Sequence, residues 1–117
     1  MAMELYDLQV STSNIHNKLN ELGNSLQKET KQNRIEEIVK MMEDPSFWLD
    51  RHLSSSLIKE MNNLKSILES FDKLFNWSKS LLDSIEEIRK EYDIEMHELL
   101  ENEYLNFKKE VDDFEIK

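Results

Sequence analysis

His16, His52 and His97 are the side chains of this 117-residue chain best suited to acid–base or metal chemistry, since imidazole ordinarily titrates near neutrality. They are far apart in sequence, and none belongs to a His-Glu-x-x-His pair. His97 and Glu101 stand one helical turn apart, but two ligands do not make a zinc site. A bundle di-iron centre needs Glu-x-x-His, and the residues three before the histidines are Ser13, Leu49 and Ile94. The histidines therefore read as solvated helix residues. Glu36-Glu37, Glu86-Glu87 and Asp112-Asp113 are adjacent in helical sequence, so their side chains diverge by about 100° and cannot share one proton; they read as charged faces. There is no cysteine, and the single glycine, Gly23, forbids both a Gly-x-Ser-x-Gly nucleophile elbow and the glycine-rich loops that cradle phosphates. Met41, Met42, Met61 and Met96 read as core filler on apolar stripes. The expectation is a chain without catalytic, cofactor-binding or metal-binding residues, acting without a small-molecule substrate and not as an enzyme.

The elements that carry these residues are helical. One Gly and one Pro leave little material for turns between strands, and a charged share of 34% suits helices that bury one stripe each and leave the rest wet. The expected fold is all-α, an elongated helical hairpin or bundle with coiled-coil-like packing and about four helices, in a single domain over residues 1–117. Leu5, Leu8, Ile15, Leu19, Leu22 and Leu26 mark a first helix, weakest at Ser11-Thr12-Ser13-Asn14. A polar connector runs from Gln27 to Gln32, and the capping-box shape of Asn33-Arg34-Ile35-Glu36, with Thr30 as a competing cap, opens a second helix carrying Ile35, Ile38, Val39 and Met42. That helix must end at Asp44, because Pro45 lacks an amide proton and disfavours α geometry in the residue before it. Ser54, Ser55 and Ser56 offer caps for a long third helix striped by Leu57, Met61, Leu64, Leu68, Phe71, Phe75, Leu82, Ile85 and Tyr92, with Ser78 and Arg89 interrupting. Asp93 caps a fourth, striped by Leu100, Tyr104, Phe107, Val111 and Phe114, which folds back antiparallel on the third. Its apolar face is still running at Ile116, as in a piece of a longer protein.

Two local features stand out. Lys28, Lys31 and Arg34 form a basic cluster in the connector, able to touch RNA phosphate, with a solvated connector as the plainer reading. Asp44, Pro45, Phe47 and Trp48 make a structural corner, two large aromatics directly after a helix stop, expected to anchor it on a neighbouring helix. Trp77 lies beside the core stripe and reads as packing. The formal charge of −10 argues against the whole domain being a phosphate binder. The N-terminus lacks a basic region followed by an apolar block, so it does not read as a secretory signal, and no apolar run reaches membrane-spanning length.

Arg34-Ile35-Glu36-Glu37 through Met42-Glu43-Asp44-Pro45-Ser46-Phe47-Trp48, then Ile58-Lys59-Glu60-Met61-Asn62-Asn63-Leu64-Lys65, resembles the N-terminal helical domain of bacterial peptide chain release factor 2. Leu22-Gly23-Asn24-Ser25-Leu26 fits the same register, and a looser likeness runs to Phe114-Glu115. The aromatic at Trp48 favours this family over its sister factor. The resemblance implies a cytoplasmic, monomeric translation-termination protein specific for UGA and UAA, with the ribosome (stalk base, L11 region, rRNA) as partner; the basic cluster Lys28, Lys31 and Arg34 is the candidate contact with it. The family reads codons through Ser-Pro-Phe and drives hydrolysis through Gly-Gly-Gln, and neither motif occurs here, so the codon-reading and hydrolysis domains would lie beyond Lys117. Many members have Asp after the leucine at 26, reflecting a programmed frameshift; Gln27 stands here, which puts that regulation in doubt. The alternative is a free-standing coiled-coil adaptor dimerising through Leu57 to Tyr92.

Overall fold

The structure, a computed structural model, describes residues 3–116. The side chain of Ile116 and all of Lys117, where the sequence leaves an apolar face running, lie outside what is described. Four helices, α1 (Leu5–Ser25), α2 (Lys28–Met42), α3 (Arg51–Lys90) and α4 (Ile94–Ile116), with a short 3-10 turn at Pro45–Trp48, make the chain all-α. They form two compact units, one of Met1–Leu22 with Phe71–Lys117, the other of Gly23–Ser70.

In the first unit α1, the later part of α3 and α4 pack as three helices. Trp77 donates its indole N–H to Glu103 at 2.9 Å, and Lys73 meets Glu110 at 3.4 Å, so α3 and α4 run antiparallel. His16 reaches Ser78 and Lys18 reaches Glu115, which seats α1 against both partners. The α4 stripe is as the spacing predicts: Leu100, Tyr104, Phe107 and Val111 are buried, and Phe114 is half-buried against Phe71. The α3 stripe is broader than predicted. Leu74, Leu81 and Ile88 join Phe71 and Ile85 in the core, whereas Tyr92, expected in the seam, is 56% exposed. A single 3.5-residue seam describes one neighbour, and here α3 has two: Phe75 and Ser78 meet α1, while Trp77 meets Phe107 of α4.

The second unit pairs α2 with the first part of α3. Ile35, Ile38 and Met61 form its core, with Met42, Leu57, Leu64 and Leu68 packed around them. Val39, read from spacing as part of the stripe, is exposed. Helix boundaries also differ from expectation. α2 starts at Lys28, not after Gln32, because one left-handed residue, Gln27 at φ 56°, turns the chain and the polar residues that follow are competent helix formers. α3 starts at Arg51, since the Asp50 carboxylate accepts the Leu53 N–H at 3.0 Å and does the capping expected of the serines. Ser54 is instead buried, its hydroxyl bonded to the Arg51 carbonyl. Helix α2 stops before Pro45, at Met42 and so two residues short of the expected Asp44, which is already extended at φ −82°, ψ 122°. Asp93 caps α4, accepting the N–H groups of Glu95 and Met96 at 2.9 and 3.3 Å.

Candidate interaction surfaces

The histidines do not read in the structure as they read in sequence. Only His52 is exposed. His16 stacks on Phe75 at a centroid distance of 5.0 Å, and its Nδ1 lies 2.7 Å from the Ser78 hydroxyl. That hydroxyl already donates to the Phe75 carbonyl at 2.7 Å, so its proton is committed and His16 Nδ1 must be the donor. His97 is buried. Its Nε2 faces the Met3 carbonyl at 3.0 Å, which can only accept, so Nε2 carries the proton and Nδ1 accepts from the Tyr92 hydroxyl at 2.7 Å. Glu101, one turn on and also buried, accepts the Met3 N–H. These are structural nodes: His16 Nδ1 and both nitrogens of His97 have their partners inside the protein. The helical spacing of His97 and Glu101 signalled a shared face; that Met3 would fill it was not legible, because the contact spans almost the whole chain. Among the described residues no group of three or more His, Cys, Asp or Glu is placed to hold a metal ion.

Lys28, Lys31 and Arg34 lie on α2 and not in a loop. Steps of three keep them near one face. Lys31 donates to the Leu26 carbonyl at 2.6 Å, closing the turn that precedes its helix. Arg34 makes a two-pronged bond to Glu60 at 2.6 and 3.1 Å and a third to Glu37 at 2.7 Å. The hydrogen bond from Arg34 holds the Glu60 carboxyl below the ordinary glutamate value, and the same bond raises the guanidinium. Lys28 is exposed. The surroundings favour anion approach here more than elsewhere: Gly23–Ser70 carries seven cations against eight carboxylates, so of the formal −10 nearly all falls on the other unit.

The corner that follows is built by Asp44. One carboxylate oxygen accepts both the N–H and the hydroxyl of Ser46 at 2.9 Å, and these bonds hold the Asp44 carboxyl below the usual range. Pro45 opens the 3-10 turn where a missing amide proton costs nothing. Phe47 is buried, and Trp48 packs edge-on against it at 4.9 Å while donating its indole N–H to the Met42 carbonyl at 3.1 Å. Trp48 remains 49% exposed, and Leu49 and Leu53, which follow in sequence, are exposed too. Neighbouring-residue spacing offered no sign of this, as it cannot rank two adjacent aromatics for burial.

The architecture is all-helical, with the polar nodes described above satisfied internally. The PCRF domain model matches residues 31–117, and the chain belongs to the PCRF domain family. It is similar to peptide chain release factor 2 of Staphylococcus epidermidis strain RP62A, with 33% identity over 115 residues that cover 98% of this chain and 31% of the relative. Its likeness to peptide chain release factor 2 of Staphylococcus haemolyticus and of Staphylococcus aureus strain COL is 30% over the same shares. The resemblance read from Arg34 to Lys65 is thus borne out across nearly the whole chain. The chain spans about a third of the length of these relatives.

Proposed function

We propose that this chain is the ribosome-docking helical domain of a class I peptide chain release factor, acting in translation termination by surface contact and without catalysis. The observation that carries the reading is the match to release factor 2 across 98% of the chain. On this reading the whole protein serves UGA and UAA codons in the cytoplasm as a monomer, with the stalk base, the L11 region and rRNA as neighbours, and with codon reading and peptidyl-tRNA hydrolysis carried by residues beyond Lys117. No helix among the described residues is long and apolar enough to cross a membrane. The docking contacts are Lys28, Lys31 and Arg34, on the unit that is nearly neutral overall. Arg34 is shared between this role and its ion pair with Glu60, so Lys28 and Lys31 give the cleaner test. Co-sedimentation with ribosomes across a salt series should show Lys28→Gln/Lys31→Gln binding more weakly and with a shallower salt slope, by about 0.7 for each single-stranded RNA phosphate that is no longer neutralised. An unchanged slope removes these lysines from the interface.

A further inference from the structure

The α3–α4 turn carries an open groove lined by Glu87, Ile88, Glu91, Tyr92, Asp93 and Met96, all within the first unit. Its lining mixes two chemistries, Ile88, Tyr92 and Met96 beside the carboxylates of Glu87, Glu91 and Asp93; Ile88 is buried, while Tyr92 is 56% and Met96 41% exposed. The Tyr92 ring is not a loose surface side chain. Its hydroxyl is tied to buried His97, so the exposed ring is held in place and little rotamer freedom need be lost when something packs on it. Ile94 and Leu99, close to the same turn in sequence, are 57% and 60% exposed. The surrounding sequence is acidic. From Glu86 to Glu98 there are six carboxylates and two cations, and Arg89 is already bonded to Glu86 at 2.7 and 2.9 Å. Charge is concentrated on this unit as a whole, whose seventeen carboxylates and eight cations give it −9.

A groove that sets a pinned aromatic and a methionine among three carboxylates is complementary to one kind of occupant, a basic segment with an apolar side chain to bury, and it repels nucleic acid. We propose that the α3–α4 groove docks a lysine- or arginine-rich segment of a protein partner, the apolar anchor seated between Tyr92 and Met96 and the cations on Glu87 and Glu91. This surface belongs to a different unit from Lys28, Lys31 and Arg34 and stands without the ribosomal reading. The test titrates the intact chain with a short synthetic amphipathic peptide of lysine and leucine, alongside an oligolysine of equal charge, and follows backbone amide shifts by NMR and affinity by calorimetry. Expected are binding of the lysine–leucine peptide, with shifts centred on Glu87, Glu91, Tyr92 and Met96, and much weaker binding of oligolysine. Glu87→Gln/Glu91→Gln, two solvent-facing changes, should weaken binding about fivefold, as loss of two exposed ion pairs implies. Met96→Ser should weaken it as well, which a purely electrostatic association would not show. No binding, equal affinity for oligolysine, unchanged affinity in the neutralised variant, or shifts elsewhere on the chain would overturn the proposal. So would self-association of the chain mapping to these residues.

Discussion

Ser78 is the position at which the energetic reasoning is most exposed to test. It is completely buried on α3, accepts from His16 and donates to the Phe75 carbonyl. Ser78→Ala removes the acceptor that faces His16 Nδ1 and leaves that N–H against an apolar wall. An unsatisfied buried donor costs about 1–3 kcal/mol, and because His16 is half-buried the lower part of that range applies, roughly 1–1.5 kcal/mol. The converse change, His16→Leu, leaves Ser78 still bonded to the Phe75 carbonyl, so it forfeits chiefly the ring stack at 5.0 Å, about 0.5 kcal/mol. The double variant has no orphaned donor. Its cost should therefore fall short of the sum of the singles by about 1 kcal/mol. Urea unfolding followed by circular dichroism at 222 nm reads all three, with thermal midpoints moving roughly 4 °C per kcal/mol. If Ser78→Ala is as stable as the parent, or if the two changes add, the hydrogen bond is not what seats α1 on α3.

Two further expectations concern the chain's turns. The Asp44 carboxyl is held below the ordinary aspartate value of 3.8 by the Ser46 N–H and hydroxyl, so its stabilisation of the corner is complete above that value and is lost as pH falls through the depressed folded one. Trp48 emission in a Trp77→Phe background should report an acid transition that Asp44→Asn, which keeps the acceptor oxygen but does not titrate, abolishes; persistence of the transition would count against Asp44 as its source. At Gln27, φ 56° places a side-chain-bearing residue in the left-handed region, which costs about 1–2 kcal/mol. Gly there removes that strain and gives back about 0.5–1 kcal/mol in chain entropy, so thermal melts of Gln27→Gly should rise by a few degrees and those of Gln27→Val should fall.

The mutual arrangement of chemistry-bearing residues explains why the sequence was a better guide to the elements than to the nodes. Helix α4 was legible almost residue by residue, because its stripe meets one continuous face and Asp93 supplies a local cap. The stop at Pro45 was legible for the same reason, a constraint between adjacent residues. The start of α2 was not, since a polar run such as Lys28 to Gln32 has no apolar period to announce a helix, and the turn before it uses Gln27 where glycine would be expected. The basic cluster was visible as composition, but its internal pairing with Glu60 depends on which residue of α3 comes opposite Arg34.

Sequence alone therefore determined that this chain is all-helical and that it resembles a release-factor family, whose domain model matches residues 31–117. These follow from local rules: side-chain period, caps, breakers and the presence or absence of residue types. Tertiary structure decided the rest. That His97 is a buried strut holding Met3, and that Ser78 is a hydrogen-bond node where it had looked like a break in the seam, depend on contacts between residues far apart in the chain. Periodicity states which face of a helix is buried against one neighbour. It does not state how many neighbours there are, and α3, packed against both α1 and α4, has two.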